Sequence, residues 1–358
     1  MNKLMQWTLF LDILGYGQEQ KKIDNQEKAN DFIQFMSINK ELIKVQDQMN
    51  KQFFSDKDIN LYEYYDFKAV FISDSFVLSA IPKVQTQEFL DNDYYDLSAF
   101  TLIELTYQIF IFIENILKEK GLIVRGGISN KFADIDDVNS LAVGEGLIEA
   151  YELESKFAKV PRILISKEIS NNKKLMLSLK KHSKVYGNIL SKDTDRDDFY
   201  YLNYLSFMLE LLNKSEKQRV KVQNEIEERY GINENIIQDF QELLKDKDSS
   251  DFISRLDTFN NSITAEQQSK LNQLLKEKDR NSLFIQYKQI IQDIQSTKYV
   301  TIDTLKKLQE TIQSELKVNK DKPTTYEKYV WLREYLNKTI QNFQNIEYLD
   351  FIQKYKLQ

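Results

Sequence analysis

The chain has 358 residues and is 42% hydrophobic, which is enough for a packed core and argues against global disorder. Its formal net charge of −6 argues against a nucleic-acid-binding surface. It contains no cysteine, which excludes disulfides, thiolate zinc sites and cysteine nucleophiles and suits a reducing cytoplasm. Because His182 is its one histidine, a metal site built from several histidines is also excluded.

Strand and helix patterns alternate through the first 205 residues. A hairpin is predicted with Ser73 and Asp74 at or near its tip. The predicted elements are a strand at 6–14, a helix at 22–50, a hairpin at 64–81, a helix at 97–120 that stops at Gly121, a strand at 122–129, a loop at 133–140, a helix at 149–157, a strand at 162–166 and an aromatic strand or helix start at 199–205.

The most apolar segment, residues 97–117, contains Glu104, Gln108 and Glu114. It therefore falls short of a charge-free span of about 20 residues and predicts a buried or interface helix. Asp12 interrupts the first apolar run, so no signal peptide is expected. We expect a soluble, cytoplasmic protein that does not associate with a membrane.

The composition changes near residue 206, where glycine nearly disappears and apolar residues recur at helical spacing. Short antiparallel helices fit this pattern best. The sequence thus predicts two domains, residues 1–205 and an all-α helical region at 206–358 whose role is unknown. No chemistry is recognisable in the second region.

Two aspartates lie inside apolar runs, Asp12 in WTLFLDILGYG (residues 7–17) and Asp74 in VFISDSFVLS (residues 70–79). A carboxylate in a buried strand is costly unless something neutralises it. Mg²⁺ and Mn²⁺ do so with hard oxygen ligands, and substrate phosphates complete the coordination. The structural alternative makes Asp12 a strand-end residue and Asp74 a hairpin-tip residue, and these two runs alone do not decide between them.

Three further motifs follow, RGGIS at 125–129, VGEGLIEAYELE at 143–154 and VPRILIS at 160–166. In this order, the five motifs resemble the class III nucleotidyl cyclase domain, and within it the bacterial pyrimidine cyclases of the Pycsar anti-phage systems. The resemblance covers roughly residues 5–205. It implies an α+β fold with a ferredoxin-like, palm-type sheet and makes residues 1–205 the catalytic domain.

The resemblance implies that Asp12 and Asp74 bind two Mg²⁺ or Mn²⁺ ions, with the Ile13 carbonyl as a further ligand. In such enzymes the ribose 3′ hydroxyl attacks the α-phosphate and pyrophosphate leaves. Gly15 and Gly17 leave room for main-chain amides to approach the phosphates. The residues expected to bind the nucleotide in this way are Ile13, Leu14, Gly15 and Tyr16.

Other charged residues near these motifs have two interpretations each. Arg125 fits a catalytic phosphate or interface contact and a surface ion pair about equally well. The glutamates of residues 149–154 fit an amphipathic helix better than a functional carboxylate cluster. The acidic residues at 134–137 fit a solvated turn better than a metal site.

The sequence departs from the purine-selective cyclases at three positions. Val70 stands where they have a base-reading lysine, and Ile148 and Glu152 stand where they have the ribose-orienting asparagine and the transition-state arginine. These departures favour UTP or CTP as substrate. The cations that are candidates to replace the charge of the missing arginine are Lys68, Lys131, Lys156 and Arg162.

Three functions remain open from the sequence. The first is a pyrimidine nucleotide cyclase that works as a head-to-tail homodimer and signals to a separate effector activated by the cyclic nucleotide in anti-phage defence. The second is a degenerate cyclase-fold module that dimerises or senses nucleotides. The third is a purine nucleotide cyclase with a rearranged base pocket, and Val70 weighs against it.

Overall fold

The computed structural model of this α+β protein describes residues 4–55, 59–83, 91–184, 189–193, 196–245, 251–276, 283–343 and 352–357. Within these ranges the strands are β1 (Trp7–Leu14), β2 (Tyr65–Ile72), β3 (Ser75–Pro82), β4 (Ile123–Ser129), β5 (Asp134–Asp136), β6 (Leu141–Val143), β7 (Ile163–Ile165), β8 (Leu190–Lys192) and β9 (Tyr200–Leu202).

The described helices surround and follow these strands. They are α1 (Tyr16–Lys21), α2 (Gln26–Ser55), α3 (Leu61–Tyr64), α4 (Asp91–Lys120), α5 (Glu145–Glu152), a π-helix (Leu153–Phe157), α6 (Lys167–Asn171), α7 (Lys173–Ser183), α8 (Tyr204–Tyr230), α9 (Glu234–Lys245), α10 (Phe252–Ser262), α11 (Ala265–Lys276), α12 (Leu283–Val318) and α13 (Pro323–Asn342).

A mixed sheet organises the first part of the chain, with the described strands in the order β2-β3-β1-β4-β7-β9-β8. β1 lies between β3 and β4 and is antiparallel to both, whereas β4 and β7 are parallel. The predicted strand at 6–14, the hairpin at 64–81 and the strands at 122–129 and 162–166 are confirmed to within about a residue at each end. β5 and β6 form a small separate hairpin, and β5 lies where the sequence predicted a loop.

One face of the sheet is covered by α4. Alternate side chains of β1, including Leu9 and Leu11, are fully buried on this face. Trp7 shares the face, and its indole N–H donates to the Ser98 carbonyl of α4 at 2.9 Å. Leu11 pairs with Phe76 of β3, whose ring lies 5.2 Å from that of Phe112 on α4. The apolar alternation in β1 thus fixes which face α4 covers.

The opposite face of β1 is covered by α5. Phe10 packs there with Ala150 of α5 and with Val70 and Val77 of the hairpin. Its ring also meets that of Tyr151 edge-on at 5.4 Å. Because side chains two residues apart share a face of a strand, Asp12 lies on this α5 side of the sheet.

The long apolar helix is part of the core. The segment Tyr94–Lys120 is long and apolar enough to cross a membrane, but 78% of its most apolar window is buried in the structure. This burial is typical of the core helix of a soluble protein. The helix ends at Gly121, as predicted, where φ is +67° and the amide donates to the Leu117 carbonyl at 2.8 Å.

The chain forms two compact units, residues 1–209 with 302–358, and residues 210–301. The sequence predicted a single helical region at 206–358, whereas the structure groups the last part of that region with the sheet. The second unit has its own apolar core, in which Ile226, Ile237 and Tyr287 are fully buried.

Contacts along α13 explain why the end of the chain belongs with the sheet. The Trp331 indole N–H donates to Asp193 at 2.9 Å, and the Tyr335 hydroxyl donates to Asn203 at 2.6 Å. The Tyr335 hydroxyl also accepts the Leu205 amide at 3.2 Å. The Trp331 and Tyr335 rings pack on Tyr201 of β9. These bonds hold one face of α13 against the edge of the sheet.

Gly127 of β4 gives a test of the packing between β4 and α5. A Cβ at this position would overlap the Ala150 carbonyl oxygen and the Leu153 Cβ, so α5 and the π-helix would have to move. We expect Gly127→Ala to lower the free energy of unfolding by about 1–3 kcal/mol, measured by urea titration. Gly17→Ala is the control, because nothing lies within 4 Å of a Cβ there, and it should leave stability unchanged or slightly raised. Equal urea midpoints of unfolding for Gly127→Ala and the wild type would contradict this packing.

Candidate active site

Asp12 lies near the end of the central strand. It is the register partner of Ser75 on β3 and of Arg125 on β4, so all three side chains point to the same face of the sheet. The Asp12 side chain is 19% exposed. Its carboxylate is therefore partly sheltered from water by the strands on either side but remains reachable.

Asp74 lies in the two-residue turn between β2 and β3. Ser73, the other turn residue, has a left-handed φ of +59°. The turn rests on the end of β1, because the Ile13 amide donates to the Asp74 carbonyl at 3.2 Å. The fold thus brings the backbone of Asp74 against the residue that follows Asp12. Asp12 and Asp74 therefore lie at the same end of the sheet, on backbone segments joined by one hydrogen bond.

Arg125 lies between two carboxylates. Its Nε is 3.2 Å from Asp12 Oδ2 and 2.5 Å from Glu154 Oε1, the latter without the angle of a hydrogen bond. The Arg125 side chain is only 21% exposed, so its ion pairs with Asp12 and Glu154 are more sheltered than an ordinary surface ion pair. In this arrangement the guanidinium neutralises Asp12.

Glu154 is the carboxylate that sequence reasoning did not single out. It is buried in the π-helix, whose wider turn is closed by the Ala158 amide donating to the Leu153 carbonyl at 2.7 Å. Burial raises the pKa of the Glu154 carboxyl well above its usual range. Arg125 acts in the opposite direction, and the nearby Asp12 carboxylate raises the pKa further. π-Helical turns inside α-helices are frequent at functional sites.

Two glutamates of α5, Glu149 and Glu152, do not join the cluster. The Glu149 carboxylate accepts a hydrogen bond from the Ser129 hydroxyl and lies 3.7 Å from the Lys131 ammonium. Glu152 pairs with Lys156 at 2.6 Å, one helical turn away. The predicted amphipathic helix thus has Glu154 on its inner side and Glu149 and Glu152 in pairs with lysines.

The predicted nucleotide-binding residues are Ile13 and Leu14 at the end of β1, Gly15 in the turn after it, and Tyr16 at the start of α1. The Ile13 amide is bonded to the Asp74 carbonyl, so it is not open to a phosphate. Gly15 has a φ of +89°, which favours glycine, and its carbonyl accepts the amides of Gln18 and Glu19. Ile13 is buried, and Leu14 and Gly15 line a cleft. Burial, and then the Asp74 carboxylate, raise the pKa of the Tyr16 hydroxyl, whose ring lies against Phe32. The Tyr16 hydroxyl therefore lies within the electrostatic range of the Asp74 carboxylate.

The cleft next to this turn has a volume of about 660 Å³. Its walls are the β1–α1 turn, the connection from α4 to β4, the end of α12 and the start of α13, all in the unit that contains the sheet. Its lysines are Lys22, Lys120, Lys307, Lys322 and Lys328. Its carboxylates are Glu19, Glu310 and Glu315. Such a lining suits a ligand with several negative charges.

Lys328 connects the cleft to the Asp12 cluster. Burial lowers the pKa of its ammonium, and the Arg125 guanidinium lowers it further. The carboxylates of Asp12 and Glu154 act in the opposite direction. Lys328 therefore lies within the electrostatic range of all three charged groups. No local sequence pattern marks it, because only the packing of α13 on the sheet brings it there.

The four cations suggested by the sequence have other partners. Lys68 pairs with Asp134 at 2.8 Å, Lys131 with Glu145 at 2.6 Å and Lys156 with Glu152 at 2.6 Å. Arg162 is 1% exposed and pairs with Asp193 and Asp197. Each of these ion pairs joins its cation to a carboxylate other than Asp12 or Asp74.

The positions that depart from the purine cyclases differ in environment. Val70 is buried among Phe10, Val77 and other apolar side chains, so it contributes to the core. Ile148 is 59% exposed on α5. Neither side chain donates a hydrogen bond, and Glu152 is a carboxylate, so the three positions offer no base-reading lysine, asparagine or arginine.

Comparison with models of known protein families and with curated proteins finds no match for this chain. Among the described residues, no three aspartate, glutamate, histidine or cysteine side chains are grouped so as to hold a metal ion. A catalytic magnesium site needs less than such a group, because one or two carboxylates and the substrate phosphates suffice. Asp12 and Asp74 carry carboxylates, which are donors of this hard-oxygen type, and in the structure Asp12 pairs with Arg125.

Proposed function

We propose that the chain is a nucleotidyl cyclase that converts a pyrimidine nucleoside triphosphate, UTP or CTP, into its 3′,5′-cyclic monophosphate and pyrophosphate. The observation that carries the proposal is the hydrogen bond from the Ile13 amide to the Asp74 carbonyl. It joins the end of the strand that bears Asp12 to the turn that bears Asp74. Two carboxylates on adjoining backbone segments are the arrangement that a catalytic metal–triphosphate site needs.

The topology supports the same proposal. β1, α2, the β2–β3 hairpin, α4 and β4 follow each other in the chain, and their strands are ordered β2-β3-β1-β4. This is the order of a ferredoxin-like split βαβ arrangement, which the resemblance to class III cyclases implies. Fold alone does not carry function, so the proposal depends on the residues at the end of β1.

The residues of this site have separate tasks in the proposed reaction. Asp12, Asp74 and the Ile13 carbonyl bind Mg²⁺ or Mn²⁺, which when bound makes the ribose 3′ hydroxyl more acidic and neutralises phosphate charge. The amides of the turn that contains Gly15 bind phosphate oxygens. The 3′ hydroxyl releases its proton to solvent, the 3′ oxygen forms a bond to the α-phosphorus, the bond from the α-phosphorus to the bridging oxygen breaks, and pyrophosphate leaves. Positioning and charge neutralisation supply most of the rate.

Pyrimidine selectivity, dimerisation and signalling belong to the proposal as well. The apolar Val70 and the missing asparagine and arginine favour UTP or CTP over the purine nucleotides. As in the class III cyclases that the chain resembles, the active form is a head-to-tail homodimer in the cytoplasm. Its product activates a separate effector in anti-phage defence.

The test is a product assay on the purified chain. ATP, GTP, CTP and UTP are incubated separately with the protein and Mn²⁺, and the products are identified by mass spectrometry. We expect a cyclic pyrimidine monophosphate. A cyclic purine nucleotide as the dominant product would favour the rearranged purine cyclase, and the absence of any cyclic product would favour the degenerate binding module.

A further inference from the structure

The proposed reaction needs a cation that the sequence motifs do not provide. Negative charge builds up on the leaving pyrophosphate, and enzymes of this chemistry stabilise it with an arginine or lysine aimed at the phosphates. The position of the expected arginine is Glu152, which is itself a carboxylate paired with Lys156. Arg125 is held between Asp12 and Glu154.

The fold supplies a cation from the other end of the chain. Lys328 lines the same cleft as Leu14 and Gly15, the turn residues whose amides are proposed to bind phosphate. It also lies within the electrostatic range of the Asp12 and Glu154 carboxylates. Lys328 is therefore a cation that shares the cleft with Leu14 and Gly15 and lies within the electrostatic range of Asp12.

The helix that bears Lys328 is fixed in place. Trp331 and Tyr335 lie three and seven residues after Lys328, so the three side chains share one face of α13. Trp331 is bonded to Asp193, and Tyr335 to Asn203 and Leu205. Because this face is held against the sheet, Lys328 is directed toward the site by the same contacts.

We propose that Lys328 binds the β- and γ-phosphates of the substrate and stabilises the leaving pyrophosphate. This inference rests on the proposed function and names the residue that replaces the missing arginine. In the protein alone, Asp12 and Glu154 contact Arg125 and lie within the electrostatic range of Lys328. When Asp12 instead binds a metal, the Lys328 ammonium loses part of its counter-charge, and the phosphates replace it.

The experiment compares Lys328→Met with Lys328→Arg and with Lys338→Met in the full chain. Lys338 is the matched control, because it is an exposed lysine on the same helix. Thermal unfolding establishes that the variants fold. Two readouts follow, the equilibrium binding of inorganic tripolyphosphate with Mn²⁺ by calorimetry, and kcat and KM for the nucleotide that the wild type cyclises.

We expect Lys328→Met to weaken tripolyphosphate binding about 10-fold or more and to lower kcat about 10²-fold, because one charge-stabilising donor is lost. Lys328→Arg should restore part of both quantities, and Lys338→Met should match the wild type. Unchanged tripolyphosphate binding in Lys328→Met would overturn the inference, whatever the activity of the variant. A raised kcat in Lys328→Met would also overturn it, because Lys328 would then inhibit the reaction. Binding that depends on Lys328 in a chain that forms no cyclic product would support the phosphate contact and reject the proposed function.

Discussion

The variants Asp12→Asn and Asp74→Asn are each expected to lose about 10²-fold or more of the cyclase turnover while keeping the fold. Each substitution keeps the size of the side chain and removes the charge that, in the proposed mechanism, binds the metal. Asp12→Asn also leaves Arg125 paired with Glu154, so the sheet should not be disrupted. Turnover is measured as cyclic product formed at saturating Mn²⁺, and folding by circular dichroism and thermal unfolding.

Asp66→Asn is the matched control for these two variants. Asp66 lies on β2, in the same hairpin as Asp74, but it is exposed and pairs with Lys83 at 3.0 Å. An exposed pair of this kind contributes little to stability. We therefore expect near-wild-type turnover from Asp66→Asn. Similar near-wild-type turnover from Asp12→Asn or Asp74→Asn would rule out the two-metal site.

The second large expected effect is a preference for nucleotides with a pyrimidine base. In a mixture of the four nucleoside triphosphates at equal concentrations, we expect cyclic pyrimidine products to exceed cyclic purine products by about 10-fold or more, since a site that lacks the base-reading donors discriminates by shape. Val70, where a purine cyclase has lysine, is buried against Phe10 and Val77 and has no polar atom to offer a base. The product ratio, measured by mass spectrometry at low conversion, equals the ratio of kcat/KM values.

The control for the base experiment is the same mixture with the Asp12→Asn variant, which should yield no cyclic product above background. A wild-type ratio that favours cyclic AMP or cyclic GMP would contradict the pyrimidine assignment. That result would not contradict the proposed metal site, because in the proposal the two aspartates act on the triphosphate and the ribose rather than on the base. The choice between UTP and CTP is read from the same data.

Local patterns in the sequence predicted the elements near the site well. The alternation of apolar residues located β1, and the polar kink at Ser73 and Asp74 located the hairpin turn. Gly121 correctly marked the end of α4, because its φ of +67° is unfavourable for other residues. These features depend on neighbours in the chain, which is why a single sequence is sufficient to find them.

The parts of the site that the sequence did not predict depend on contacts between distant segments. Glu154 faces Arg125 because a π-helical turn follows α5, and the 3.6-residue period does not anticipate that turn. Lys328 lies within the electrostatic range of Asp12 and Glu154 because Trp331 and Tyr335, on the same helix, bind residues of the sheet region. No short motif records such packing, so the helical region gave no indication that it contributes to the site.

The most direct test of the account is to count the Mn²⁺ ions that the protein binds together with 3′-deoxy-UTP and, separately, with 3′-deoxy-CTP, which lack the attacking hydroxyl and cannot be cyclised. Equilibrium dialysis with detection of free Mn²⁺ by electron paramagnetic resonance gives the number bound per chain. With the wild type we predict two ions per bound nucleotide, and with the double variant Asp12→Asn/Asp74→Asn no ions beyond those carried by free nucleotide. If the wild type binds no more Mn²⁺ than the double variant, then Asp12 and Asp74 do not form a metal–triphosphate site, and the proposed cyclase mechanism is contradicted.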